Sequence, residues 1–535
     1  MRNEHTMKKL APLQPCLLLT IFALLAFTIA CGGGSFNDPP GFAKTAVAST
    51  TNPLVAQFSV STALGCAGQV MVEFGPDTSY GRSTAWYPAS AALQPNTILV
   101  AGMKASTTYH MRAQAQAQCA TSTNTFTSGD LTFTTGPLPA IAFPTLAVTR
   151  PNPSTTSPEN PGIEMIDVTT PSTPALVTDR DANPIWYYDM GKGYYAFPFK
   201  LLPNGHMILS IAGGVPIIRE IDLAGNTIRE LSITALGQAV QAAGFDFIPA
   251  TYTHDILPLA NGHLIVLVNF SKNFTNLPGY PGTTAVVGDG LIDLDQNWNP
   301  VWAWNSFDYL DVNRHLNGLP DWTHSNAVDY SAVDGNLLLS MRHQSWVLKI
   351  DYNNGAGAGD ILWKLGYQGN FALTVDGVPS DDPSQWFSFQ HFPWIVSQTG
   401  PQTTLAVWDN GDNRPLDTVG TICGVAPAYT NPCYSRATLF DLDESAMVAN
   451  LRWDNLPGDF SVWGGSINQL ANGNMEFDIN APSPPPTPNL ASEVQEVTLS
   501  STPQIVWKLD INVSTENAYR AYRVPSLYPG VAWQY

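Results

Sequence analysis

Asp321-Trp322-Thr323-His324-Ser325-Asn326-Ala327-Val328-Asp329-Tyr330-Ser331-Ala332-Val333-Asp334-Gly335-Asn336-Leu337-Leu338-Leu339-Ser340-Met341-Arg342 is the stretch on which the reading of this chain turns. Apolar and polar residues alternate on both sides of Asp334-Gly335, a dipeptide that accepts the positive φ angles of a tight hairpin turn. The spacing predicts a strand over 325–332, a turn, and a returning strand over 337–341. The ends of a hairpin meet, so His324 and Arg342 are expected on one rim. A ring nitrogen beside a guanidinium fork suits an oxyanion such as a sulfate or phosphate group.

The same strand–turn–strand pattern recurs outward from this stretch. Equivalent turns stand at Asn204-Gly205-His206, Asn261-Gly262-His263, Thr399-Gly400 and Asn472-Gly473-Asn474. Outer-strand endings stand at Pro184-Ile185-Trp186, Thr227-Ile228-Arg229, Pro300-Val301-Trp302, Ile361-Leu362-Trp363, Val448–Trp453 and Ile505-Val506-Trp507. Six endings imply six units of about four strands over 138–535, the periodicity of an all-β, six-bladed β-propeller, which leaves no sheet edge open. The first unit lacks an evident first strand, and Ala518–Pro525 is expected to complete it. A β-sandwich of the immunoglobulin or fibronectin III type is expected over 46–137. Its strands are read at 55–61, 69–74, 97–101, 108–115 and 129–134. His206 and His263 follow Asn-Gly and are read as turn residues, and His110 as a surface strand residue.

The 535 residues carry a formal charge of −19, which excludes a nucleic-acid partner because phosphate backbones need clustered Lys and Arg. It does not exclude a small anion held in one local positive pocket. Arg2, Lys8 and Lys9 precede an apolar run from Leu17 to Ala30, too short to span a bilayer and read as a signal-peptide core. Small residues before Cys31 and Gly32-Gly33-Gly34-Ser35 after it resemble a bacterial lipoprotein processing site. The expectation is therefore a signal over 1–31, lipidation of Cys31, a tether over 32–45, export to the periplasm, and attachment to the outer membrane. Of six cysteines, Cys16 leaves with the signal and Cys31 takes lipid. Cys66, Cys119, Cys423 and Cys433 then allow three disulfide connectivities, of which local pairing, Cys66–Cys119 with Cys423–Cys433, is the simplest.

Three units begin their first strand with histidine: His254 before the Gly262 turn, His324 before Gly335 and His391 before Gly400. In a propeller the first strands line the axis, so three sequence-distant imidazoles are expected at one mouth of the channel, with Asn326 and Arg342. Neutral imidazole is a good nucleophile near pH 7, and arginine stays charged and grips two oxygens at once. No G-x-S-x-G elbow or H-E-x-x-H motif accompanies them. Three histidines with Asp255 could hold zinc, but Asn326 and Arg342 suit an anion better, so no metal and no cofactor are expected.

Thr253-His254-Asp255, the segment Asp321–Arg342, Gln390-His391, Asp409-Asn410-Gly411-Asp412-Asn413-Arg414, Tyr434-Ser435-Arg436 and Tyr519-Arg520-Ala521 together resemble the bacterial arylsulfate sulfotransferases. That resemblance implies a periplasmic enzyme that moves sulfate between aryl sulfates and phenols without phosphoadenosine phosphosulfate, through a sulfohistidine. By motif, His391 is the sulfated residue. His254, His324, Asn326 and Arg342 match sulfuryl-binding and acid–base positions, Asp255 assists, and Tyr519 matches a pocket tyrosine. Cys423–Cys433 falls where the family carries a short disulfide loop. The chain departs from the family at Trp463-Gly464-Gly465-Ser466, where a threonine is expected, and in its lipid anchor. Asp409–Asn413, rich in carboxylates and amides, is read as a rim turn rather than a calcium loop, since its spacing is not that of an EF-hand. Competing readings are a non-catalytic propeller scaffold and a metal-dependent lyase or hydrolase. A homodimer is compatible with all three.

Overall fold

The hairpin at the centre of the sequence forms: Ser325–Ser331 pairs antiparallel with Asn336–Met341, Tyr330 opposite Leu337, around a glycine at φ +74°. Trp346–Ile350 and Ile361–Leu365 extend it to a four-stranded sheet. The computed structural model describes residues 41–534, apart from 121, 153–156, 425–431, 481, 484–489 and 513–517. The expected signal peptide, Cys31 and most of the tether lie outside the described residues.

The four-stranded antiparallel arrangement recurs. We label the first strand of each run β1 (Tyr195–Leu201), β2 (Thr251–Pro258), β3 (Ser325–Ser331), β4 (His391–Thr399), β5 (Ser466–Gln469) and β6 (Ala518–Val524). The expected completion from the C-terminus is present: β6 pairs with Ile163–Val168, Tyr522 opposite Met165, and Ala175–Thr178 and Pro184–Tyr188 follow outward. Two of these six sheets carry more than four strands. Thr145–Thr149 adds outside Ile505–Asn512, and Ala372–Val375 lies parallel to Val448–Asn455. Each of β1 to β5 touches the next in order, β5 touches β6, and Ile163–Val168 beside β6 touches β1, so the series returns to its start.

Two local devices build this series. Gly205, Gly262, Gly335, Gly400 and Gly473 all have positive φ in the turn after the first strand, the conformation that side-chain-bearing residues resist. Aspartates then clasp neighbouring first strands. Asp255 Oδ2 accepts from Val328 N at 3.0 Å and Asp329 Oδ2 from Ile395 N at 2.9 Å, while Asp167 Oδ1 accepts from Phe199 N at 3.1 Å. Apolar faces pack between the sheets. Trp186, Trp302, Trp363 and Trp507, from four of the six outer endings, are all buried.

In the N-terminal region Phe42–Ser49, Ala56–Thr62 and Gln94–Val100 form one sheet, and Gly68–Gly75, Thr108–Cys119, Ser122–Thr127 and Leu131–Thr134 lie in another. The first of these strands starts inside the stretch read as tether. Phe42 is buried there against the core formed by these two sheets, an anchor that the small polar residues around it concealed. The tail after β6 returns to this region: Tyr528 Oη donates to Leu99 O at 2.8 Å and Trp533 Nε1 to Ser83 O at 3.0 Å. Both local disulfides, Cys66–Cys119 and Cys423–Cys433, are present. His110, His206 and His263 pair with Asp130, Glu220 and Asp293, as turn and surface residues do.

Candidate functional site

The starts of the first strands are irregular where it matters. Pairing slips between Ala196 and Phe199, Tyr252 and Ile256, Ser325 and Ala327, and His391 and Trp394. His254, His324 and Phe392 have φ of +37°, +48° and +46°. Bulges re-aim side chains, and positive φ in bulky residues is strain of the sort that collects at functional sites. The re-aimed side chains meet around a cavity of about 440 Å³ lined by Thr169, Tyr195, Phe197, His254, His324, Arg342, His391, Trp463 and Tyr519.

His391 is the most constrained of them. It is buried, and its Nδ1 lies 2.7 Å from Asn410 Oδ1. The amide cannot be turned around, because Asn410 Nδ2 donates to Ser461 O at 2.9 Å and Gly464 O at 3.0 Å. An acceptor therefore faces Nδ1, the proton must sit on Nδ1, and Nε2 carries the lone pair. That lone pair receives one weak donor, Gly464 N at 3.2 Å. Burial and the Arg342 charge hold the imidazole well below its ordinary pKa, against a smaller upward pull from Asn410. Only glycine serves at 464 and 465. Both have positive φ, and a Cβ would stand 2.3 Å from Asn480 Nδ2 or 2.5 Å from the Trp408 ring.

Arg342 reaches the same space. Its Nη1 donates to His343 Nε2 at 2.7 Å and Nη2 to Val462 O at 3.0 Å, while Nε is buried without a partner among the described residues. Asp412 stands 3.5 Å from Nη2, and burial lifts its carboxyl to about 7, so the guanidinium is only partly offset. His343 Nδ1 donates to Asp321 O at 2.9 Å, and burial lowers this ring to about 4, leaving it a neutral acceptor for Arg342. His324 Nδ1 is 2.6 Å from Asp321 Oδ2, and this hydrogen bond overrides burial to hold the carboxyl low. The His254 ring centre is 4.7 Å from that of His324, and burial and His324 push His254 well below its ordinary pKa. Tyr519 packs between Phe197, His254 and His391, with ring centres 4.9, 5.7 and 5.8 Å away, and its buried hydroxyl has no hydrogen bond of ordinary geometry among the described residues. Asp321, His324 and His343 present ligand atoms within 4.8 Å of one another, the one such group among the described residues. Arg342 already occupies the outer nitrogen of His343, which sets a fixed positive charge against any cation there.

The family model for arylsulfotransferase (ASST) matches residues 125–523. The chain belongs to the arylsulfotransferase family. It is 24% identical over 256 residues to the arylsulfate sulfotransferase AssT of Escherichia coli O6:H1, covering 38% of this chain and 40% of that one. It is 28% identical over 159 residues to AssT of Lelliottia amnigena, covering 27% and 24%. The matched stretches thus span less than half of either curated relative. Among solved structures, a Bacteroides caccae protein of unknown function gives a TM-score of 0.40 at 10% identity, covering 68% of this chain and 98% of that chain. A mutant of the Synechocystis apocarotenoid oxygenase gives 0.30 at 8%, covering 88% and 81%. Likenesses that weak carry no argument.

In this member of the arylsulfotransferase family the structure brings together His254, His324, Arg342, His391 and Tyr519. Two residues read as substrate-binding are elsewhere. Asn326 is fully buried, outside the cavity lining, and its Nδ2 donates to Gln390 O at 2.7 Å; it braces the chain just before His391. Asp255 is buried on the far face of its strand from His254, paired with Lys200 at 2.5 Å and Arg520 at 3.3 Å, so it is saturated as a structural anchor. Strand alternation explains Asp255, the immediate neighbour of His254, whereas Asn326, two residues from His324, leaves the shared face at the pairing slip between Ser325 and Ala327. The sequence reading missed Asn410, His343, Gly464, Trp463 and Phe197. The sequence places Asn410 in a rim turn. Its segment instead carries the orienting amide and Asp412, held by Asp409, which takes Arg414 and Arg436 at 2.8 Å each.

Proposed function

We propose that this arylsulfotransferase moves a sulfuryl group from an aryl sulfate to a phenol by a ping-pong route through sulfohistidine at residue 391, without phosphoadenosine phosphosulfate. The observation that carries the reading is the fixed tautomer of His391, with Nδ1 tied to Asn410 and Nε2 facing the cavity. Nε2 attacks sulfur, the N–S bond forms, and the S–O bond to the aryl group breaks, releasing phenolate. Negative charge on the sulfuryl oxygens falls beside Arg342, whose Nε–H is unused, beside the Tyr519 hydroxyl, and beside the Gly464 N–H that Nε2 gives up on attack. Phe197, Trp463 and Tyr519 offer ring faces to an aryl group. Burial holds His254 neutral, so the leaving oxygen takes its proton through His324, whose ring Asp321 orients at Nδ1, in the manner of an Asp–His pair. A second phenol reverses the steps.

We propose further that the six sheets form a closed six-bladed propeller, preceded by a sandwich domain. The clasping aspartates and the return of strand contacts from β6 through Ile163–Val168 to β1 support that reading. Export to the periplasm and anchoring to the outer membrane through lipidated Cys31 rest on the N-terminal sequence alone.

Mixing the protein with 4-nitrophenyl sulfate tests the proposal. Nitrophenol release should require a phenol acceptor after the first turnover and should survive strong chelation. Release that needs no acceptor, or that chelation abolishes, would favour a hydrolase or a metal enzyme built on Asp321, His324 and His343. Arg342→Ala should lower kcat/KM on the order of 10²- to 10³-fold, the usual loss on removing an oxyanion donor, and a variant within a few-fold of wild type would remove Arg342 from the charge-binding role.

The pH response follows from His391. Its native pKa lies well below 6.5, so Nε2 stays unprotonated as pH falls through that value. Single-turnover sulfuryl uptake should be nearly flat from pH 8 to 6, where a free imidazole would lose about three-quarters of its reactive form. The same depression makes the unfolded chain the stronger proton binder below pH 6.5, so native stability should fall as pH drops through that window.

A further inference from the structure

The far ends of β1, β2, β5 and β6 enclose a second cavity, which β4 reaches with the residues just after His391. It measures about 400 Å³ and is lined by Leu257 from β2, Trp394 from β4, Asn468 from β5, and Tyr522 and Val524 from β6, with Phe392 at its inner wall. Three rings form a near-parallel ladder there: Trp394 to Phe392 at 6.0 Å and 15°, and Phe392 to Tyr522 at 6.3 Å and 25°. Trp394, 40% exposed, stands at the mouth, and Phe392, 7% exposed, lies deep. The lining charges are already engaged: Lys200 with Asp255, and Arg523 with Glu164, Glu476 and Glu496. Outside these ion pairs, one buried polar side-chain atom of the lining is unmet among the described residues. Asn468 is only 8% exposed, and its Oδ1 is buried without a partner among the described residues.

An apolar pocket with flat aromatic walls takes a flat apolar body, and a buried acceptor with no donor costs on the order of 1–3 kcal/mol until one arrives. A carboxylate or sulfate would bring the wrong polarity to Asn468 Oδ1, and a purely apolar guest would leave it unmet. We infer that this cavity is a second binding site for an uncharged aryl alcohol, its ring against Trp394 and Phe392 and its O–H donated to Asn468 Oδ1. The site contains none of the residues proposed for sulfuryl transfer, so it stands or falls independently of that chemistry. It would bind a phenol without reacting with it, since His391 faces the other cavity. Occupancy would nevertheless bear on Phe392, the residue next to His391 in the chain.

Equilibrium dialysis of 2-naphthol against the full chain tests the inference, with the number of bound molecules per chain as the readout. Trp394→Ala and Asn468→Leu should each remove one bound molecule per chain, or weaken that class at least tenfold, whatever the His391 cavity itself binds. Because Trp394 is partly exposed, its loss should leave the fold and the sulfuryl-transfer kcat near wild type. Naphthyl sulfate, which has no O–H to donate, should not compete for this class. Unchanged stoichiometry and affinity in both variants, or equal competition by the sulfate ester, would overturn the proposal.

Discussion

His391→Ala should abolish sulfuryl transfer, with a loss on the order of 10⁴-fold or more, because the covalent route has no other nucleophile at that position. His254 and His324 share the cavity, but neither combines burial with a lone pair fixed by an amide and its carbonyl partners. The substitution leaves folding largely in place. His391 makes two side-chain hydrogen bonds, to Asn410 and Gly464, and Asn410 keeps its bonds to Ser461 and Gly464 without it. Thermal unfolding measured beside activity separates a lost nucleophile from a lost fold. A well-folded alanine variant turning over within tenfold of wild type would remove His391 from the reaction.

The second large effect is expected at Asn410, which the chemistry never touches. Asn410→Ala releases Nδ1, so the ring can rotate and can place its proton on Nε2, where it blocks attack. Loss of an orienting partner that leaves the nucleophilic system in the wrong tautomer costs up to about 10⁴-fold in a serine protease triad. Here the partner is neutral, and a fall in kcat on the order of 10²- to 10³-fold is expected, with KM for the aryl sulfate little changed. Asn410→Asp should not rescue it, because its second oxygen would face the carbonyls of Ser461 and Gly464. A rise in KM at constant kcat would instead mark Asn410 as a packing residue.

The contrast between His391 and Asn410 shows what the chain discloses by itself. Repeat spacing locates first strands, and first strands that begin with histidine locate a shared rim. Hence His254, His324, Arg342 and His391 converge as expected, and β6 completes the sheet that lacked a first strand. Period-two alternation also carries a penalty. Asp255, adjacent to His254, is turned by that alternation into the wall against Lys200 and Arg520, while Asn326, two residues from His324, leaves the shared face only because the pairing slips between Ser325 and Ala327, and meets Gln390 instead. Asn410 and Gly464 act through a carbonyl-lined socket assembled from 461 to 464, and no local pattern encodes a contact across so many residues. Trp463 stood out only as a departure from the family's expected threonine, although it lines the cavity. At the N-terminus, polar composition suggested a tether running past Phe42, whereas a single buried ring there starts the first strand.

The central claim is that Nε2 of His391 becomes covalently bonded to sulfur. Incubating the protein with an aryl sulfate in the absence of any phenol, then measuring intact mass and mapping the modified peptide, tests it directly. The account predicts a gain of one sulfuryl group per chain, located on His391, absent from the His391→Ala protein and discharged when phenol is added. An unmodified chain that has released stoichiometric phenol, or a sulfuryl group mapped to His254, His324 or Tyr519, would contradict it.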